Sequence, residues 1–190
     1  MGKYYFTTLE IVLIAVLGAL LALFDNFGIA PVVGLARPLM GPFAGIIFGI
    51  DSGIAATLGL YIIRKPGVGI LTTTILGVVD LLIGHSPVVL FFGSAGLGAE
   101  LGFAIFKYRR WNLLSISIAA FLSTWPWAFV VNAFFGLTTI LGVNTFLEVW
   151  FVRSIITAVF GGLVTKALAD GLSHTGVLSS FRIAIKRSAP

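Results

Sequence analysis

Six runs of about 20 predominantly apolar residues shape this chain, and about that many residues are what a helix needs to cross roughly 30 Å of hydrocarbon. They lie near 8–27, 40–63, 68–83, 88–106, 113–135 and 146–169, the third being the shortest. Arg64-Lys65-Pro66-Gly67 and Gly84-His85-Ser86-Pro87 separate consecutive runs with residues that a helix does not continue through. Of the 190 residues 58% are hydrophobic and 10% charged, where a soluble domain carries about a quarter charged. The expected fold is therefore all-α and integral to the membrane: one domain, 1–190, forming a bundle of six transmembrane helices. No internal repeat or linker divides it.

Lysine and arginine set the orientation, because cytoplasmic loops retain them. Lys3, Arg64, Lys65, Lys107, Arg109, Arg110, Lys166, Arg182, Lys186 and Arg187 fall on one side of a six-span topology, against Arg37 and Arg153 on or toward the other. Both termini are then cytoplasmic, and the basic tail 171–190, with Phe181, Ile183 and Ile185 among its charges, rests on a leaflet. The net charge of +5 belongs to this asymmetry and to anionic lipid, not to nucleic-acid binding. A chain entering the membrane at its first span, with five more to follow, is not expected to carry a cleaved signal peptide. The location implied is a cell membrane.

Catalytic chemistry finds few tools here. The absence of cysteine removes disulfides and thiolates, and two histidines offer no metal or haem site. His85 and His174 fall on opposite sides of the topology, so no nucleophile–base pair or metal constellation of an intramembrane enzyme is visible. No cofactor is expected, and no phosphate-binding loop is present.

Acids within the spans are the informative residues, because an ionised group in hydrocarbon costs at least about 2.5–3.5 kcal/mol. Asp25, Asp51, Asp80, Glu100 and Glu148 lie within or at the ends of spans, and only Arg37 and Arg153 can reach their outer halves. The imbalance points to a water-accessible cavity, open to the outside, that receives a cation or hydrogen-bond donor. Asp80 sits about 7 Å below the outer end of its helix and Glu100 about 18 Å below the start of the next. Trp125-Pro126-Trp127 and Trp150 lie on the same outer half. Trp125 and Asn132, seven residues apart, share a helix face to within about 20°. Indole faces and carboxylates together suit a flat, positively charged heteroaromatic ligand.

Three landmarks follow in order: Tyr61-Ile-Ile-Arg64-Lys65-Pro66-Gly67, then Asp80-Leu-Leu-Ile-Gly84, then Gly96-Leu-Gly98-Ala99-Glu100-Leu101-Gly102-Phe103. Within this stretch of about 45 residues the chain resembles the YkoE-type S components of energy-coupling factor (ECF) vitamin transporters, and its hydropathy resembles theirs almost throughout. The resemblance implies a six-helix substrate-binding subunit that captures thiamine or its hydroxymethylpyrimidine part from outside. It also implies a transmembrane coupling protein and ABC-type ATPases as partners. Asp80, His85 and Ala95 stand where that family usually carries Glu, Asn and Gln, which leaves the ligand or its pose open to difference.

The candidate substrate-binding residues are Asp80, Glu100, Trp125, Asn132, Glu148, Trp150, Arg153 and Asp51. Several keep a second role open: Asp80 bonded to Thr72, Thr73, Thr74 or Arg153, Trp125 as an interface anchor, and Arg153 as a counter-ion. His85 reads as a solvated turn residue, Arg37 as an outer-loop charge, and the connection 28–41 as a lid over the cavity mouth. Ala15, Gly18, Ala19 and Ala22 make small-x-x-x-small pairs that serve either partner docking or packing within the subunit. A stand-alone proton-coupled carrier or channel for a small organic cation is the rival class, since buried acids also relay protons.

Overall fold

A computed structural model describes residues 6–176 and 178–181, all of them helical, turn or irregular, with no strand among the described residues. The chain order is α1 (Thr8–Phe24), a π-turn (Asp25–Ile29), α2 (Ala30–Met40), a 3-10 stretch (Gly41–Phe48), α3 (Gly49–Ile63), α4 (Val68–Ile83) and a second 3-10 stretch (Pro87–Phe92). Then come α5 (Gly93–Ile105), α6 (Leu113–Phe135), α7 (Leu137–Leu141), α8 (Val143–Ile156), a second π-turn (Thr157–Gly161) and α9 (Gly162–His174).

Among the described residues five continuous helical stretches are long and apolar enough to span a membrane: Thr8–Met40, Phe43–Ile63, Pro87–Ile105, Leu113–Phe135 and Val143–His174. The remaining apolar run, the third in sequence, is helical too, but Val68–Ile83 has only 16 residues, shorter than a full span. The 28–41 connection, expected as a loop, is instead helix: α2 continues α1 through the π-turn. Pro31 explains the irregularity, because it has no N–H to give the carbonyl four residues back and its ring crowds that position. The backbone widens, and the Ala30 N–H reaches back to Asp25 O.

At the centre lies α3, from Ile54 to Ile63 almost wholly buried. Gly49 and Gly53 let it press against the second π-turn, since a Cβ on Gly53 would lie 2.7 Å from Thr157 Cγ2. Gly98 and Gly102 similarly bring α5 directly onto the backbone of α6. With lipid tails as apolar as leucine, such close backbone packing supplies much of the association between helices.

One end of the bundle gathers the start of α1 and the α3–α4 and α5–α6 turns. There Lys65 Nζ lies 2.7 Å from Glu10 Oε2, and the Arg64 guanidinium sits 5.6 Å from the Trp111 ring. Of the tail, Leu178 and Phe181 are buried in the core, and burial of their apolar surface ties them to the bundle. Lys3 and residues 182–190, on which part of the orientation argument rests, lie outside the described residues.

The small-residue pairs of α1 divide. Gly18 and Ala22 are buried, and a Cβ on Gly18 would meet Ile75 Cγ2 and Thr72 O at 2.8 Å. Gly18 therefore packs α1 on α4 within the subunit. Ala15 is exposed and Ala19 half-buried.

Candidate functional site

Opposite the Glu10–Lys65 end, the bundle encloses a cavity of about 400 Å³ lined by residues of α2, α3, α4, α6, α8 and the irregular segments between them. That volume falls in the range of small-molecule sites. Asp25, Asp51 and Asp80 form its acidic wall, Phe92, Trp127 and Trp150 its aromatic one, and Arg37, His85 and Arg153 add basic groups.

Each acid has a distinct local origin. Asp51 lies in the first turn of α3, where the Gly49 approach to Thr157 holds the helix start against α8. Asp80 lies near the C-terminal end of α4 and is 3% exposed. Its Oδ1 accepts a 2.7 Å hydrogen bond from Asn26 Nδ2, which also donates to Ala22 O at 2.8 Å. The threonines weighed as partners for Asp80 turn elsewhere: Thr72 and Thr73 donate to Val68 O and Gly69 O of their own helix. Asp25 opens the first π-turn.

Arg153 is buried, with Nη1 donating to Gly45 O at 2.9 Å and Nη2 to Ser52 Oγ at 3.4 Å. Its guanidinium carbon lies 5.4 Å from the Trp150 ring centre. Among the described residues, ion pairs join Lys65 to Glu10 and Lys166 to Asp170; none joins Arg153 to a cavity acid. Asp25 Oδ1, Asp51 Oδ1, His85 Nδ1 and Arg153 Nε are buried without a hydrogen-bond partner. A buried polar atom left without any partner costs about 1–3 kcal/mol; the Asp25 and Asp51 side chains lie within hydrogen-bonding reach of one another.

The aromatic wall is rigid. Trp150 Nε1 donates to Thr124 O at 3.0 Å and its ring packs 5.0 Å from Phe146. Trp127 meets Phe92 edge-on at 4.9 Å.

Of the eight residues expected from sequence, Asp51, Asp80, Trp150 and Arg153 meet in the cavity; the other four do not. Glu100 is buried toward the opposite end, accepting from Gly69 N at 2.9 Å and from Tyr108 Oη at 2.5 Å. It thereby caps the N-terminus of α4, whose own N-cap, Gly67, has no side chain to do so. Trp125 is half-buried beside Phe121, at 6.5 Å. Asn132 Oδ1 accepts from Thr138 N at 2.8 Å and so closes the α6–α7 turn. Glu148 is exposed on α8.

Sequence reasoning missed Asp25, Asn26, Arg37, His85 and Trp127 as site residues. Trp127, Val131 and Phe135 line the cavity at helical spacing, and Trp125 lies about 200° round the helix from Trp127. Arg37 reaches the cavity because of the π-turn. Twelve residues of regular helix would set it roughly 120° from Asp25, and one extra residue taken up in the bulge cuts that to about 20°. His85 closes the α4 end, its N–H donating to Asp80 O at 3.1 Å, and turns its ring inward.

Comparison with known proteins agrees on the kind of molecule. Residues 9–125 match the family model of the ABC-type cobalt transport system, permease component. YkoE of Bacillus subtilis (strain 168), named as an HMP/thiamine permease, is 30% identical over 184 residues, covering 92% of this chain and 88% of that protein. The crystal structure of an S-component of an ECF transporter superposes with a TM-score of 0.78 at 28% identity, covering 96% of this chain and 93% of the other. Among the described residues no cluster of three or more His, Asp or Glu side chains is arranged to hold a metal ion.

Proposed function

The chain belongs to the YkoE-type S components of ECF transporters, and from that premise we propose that it captures thiamine or its hydroxymethylpyrimidine part in the acidic, aromatic cavity. As an S component it is a non-catalytic, multi-pass membrane subunit that works with a coupling protein and ATPases.

The observation that carries the ligand reading is the convergence of Asp25, Asp51 and Asp80 with the rings of Phe92, Trp127 and Trp150 on one cavity. Thiamine joins a flat aminopyrimidine, which has donors on its edge, to a thiazolium cation. Carboxylates meet both parts through charge-assisted hydrogen bonds and Coulomb attraction, and the indoles through stacking and cation–π contact worth about 0.5–2 kcal/mol each.

With the Glu10–Lys65 end on the cytoplasmic side, as the distribution of basic residues favours, the cavity opens outward in a prokaryotic cell membrane. Ala15 and Ala19 of α1 then offer the coupling protein a surface that backbone can approach closely.

The test is a titration of the purified subunit, followed by tryptophan fluorescence and by thermal stabilisation, against thiamine, hydroxymethylpyrimidine, the thiazole fragment and cobalt(II). Saturable response to the pyrimidine-bearing ligands, with no vesicle uptake until the partners are added, is expected. Response to cobalt(II) alone, or partner-free flux driven by a proton gradient, would overturn the reading.

A further inference from the structure

We infer that Asn26 is a positioning residue which makes Asp80 a selective reader of an exocyclic amino group, an inference that rests on the aminopyrimidine reading above. Three features of the structure carry it.

First, Asn26 spends both hydrogens of its amide: one on Ala22 O, 2.8 Å away in its own helix, and one on Asp80 Oδ1 at 2.7 Å on α4. The first bond fixes the amide plane; the second fixes the carboxylate. An Asp carboxyl otherwise turns almost freely about its terminal torsion, because an sp³–sp² bond has broad wells. Tied at Oδ1, Asp80, which lines the cavity, keeps its second oxygen as an acceptor in a set direction.

Second, the tie crosses between elements. Asn26 belongs to the π-turn Asp25–Ile29, and Asp80 to the last turn of α4. The same widened turn presents Asp25 to the cavity, so one irregular segment both supplies an acid and orients another.

Third, among the described residues Asn26 is the side chain that hydrogen-bonds Asp80, while Asp25 and His85 face it across the same cavity. Arg153 is engaged with Gly45 O and Ser52 Oγ, and Thr72 and Thr73 with their own helix.

An ionised carboxylate held in this way accepts from N–H but cannot donate. A ring bearing an amino group meets it with a donor, whereas the analogue with a carbonyl oxygen there turns an acceptor onto an acceptor. Sites built to pair a polar group discriminate strongly against a ligand that leaves that group unpaired. Without Asn26, Asp80 is free to turn away, and the rejection of the oxygen analogue weakens.

The experiment compares thiamine with oxythiamine, its analogue carrying oxygen for the exocyclic amino group, on the wild-type subunit and on N26L, N26A, N26S and D80N. The wild type is expected to prefer thiamine by about 10-fold or more, and N26L and N26A by less than about 3-fold, with D80N similar. N26S, which retains a donor, should fall between. The double variant N26L/D80N should be no less selective than D80N alone, because the two residues act as one unit. Equal weakening for both ligands with the ratio kept, or loss of the folded subunit in all Asn26 variants, would overturn the inference, since Asn26 then merely holds the fold. A wild type that binds neither thiamine nor hydroxymethylpyrimidine would sink the functional reading along with it; a wild type that binds thiamine and oxythiamine equally would sink this inference alone.

Discussion

Replacing Glu100 separates a residue that holds the bundle together from one that holds the ligand. The Glu100 carboxylate accepts from Gly69 N at 2.9 Å and Tyr108 Oη at 2.5 Å, away from the residues that line the cavity. Glu100→Ala strands a buried backbone N–H and a phenol. Hydrogen bonds to a charged group contribute about 1.5–3 kcal/mol each, so the two together are worth roughly 3–6 kcal/mol. For a chain of this length each kcal/mol moves the melting temperature by about 2–4 °C, and the fall should be at least about 6 °C. Glu100→Gln, which keeps one acceptor, should lose less than half as much. Thermal unfolding in detergent measures this, and ligand titration well below the lowered transition measures binding. Affinity for thiamine per folded molecule should change by less than about 3-fold, because coupling between residues far apart is small. An unshifted transition with abolished binding would refute the reasoning and return Glu100 to the ligand.

Trp127→Leu should weaken thiamine binding by about 3- to 30-fold, the range of one cation–π contact, while Trp125→Leu leaves it within error, both read by isothermal titration. Burial and the bond to Glu100 raise the Tyr108 phenol above its ordinary range. The folded chain therefore keeps a proton that the unfolded chain sheds near pH 10. That contribution to stability is full below about pH 10 and is lost as pH rises beyond it; Tyr108→Phe should flatten the alkaline fall in melting temperature. Ala15→Leu on the exposed face of α1 should leave the isolated subunit as stable as before and impair vesicle uptake with partners. Gly18→Leu should unfold the subunit more easily, since its side chain would drive into Ile75 and Thr72.

The apolar runs made the helices legible, and α4 and α6 appear with the boundaries read from sequence, 68–83 and 113–135. Depth along a helix was legible too: Asp51, Asp80 and Arg153, read at one level of the bundle, meet in one cavity. Rotation about the axis was not. A period of 3.6 says that Trp125 and Asn132 share a face, but in a membrane the outer face is as apolar as the core, so composition does not say which face turns inward. Trp127 won by two residues. Glu100 shows a different limit, because its sequence setting is the same whether the carboxylate meets a ligand or the open end of another helix. The π-turn had no periodic signature at all. Its causes, Pro31 and the backbone adjustment it forces, read in the sequence as a break, and so Arg37 falls in a connection outside the site, while Asn26, at the end of the first span, carries no signal of a role.

The short α4 has one more effect, on the membrane itself. At 16 residues it is about 24 Å long, while the continuous stretch Thr8–Met40, with its 33 residues, reaches about 50 Å. A bilayer of roughly 30 Å hydrocarbon thickness cannot match both flanks at once. The mismatch predicts a bilayer thinned beside Leu82, which is 80% exposed, and a longer segment that tilts or kinks within it. Each ångström of mismatch costs a fraction of a kcal/mol, so lipids with shorter acyl chains should favour one resting angle of the subunit and longer ones another. Acyl-chain length thereby becomes a control on how readily this protein leans over in its membrane.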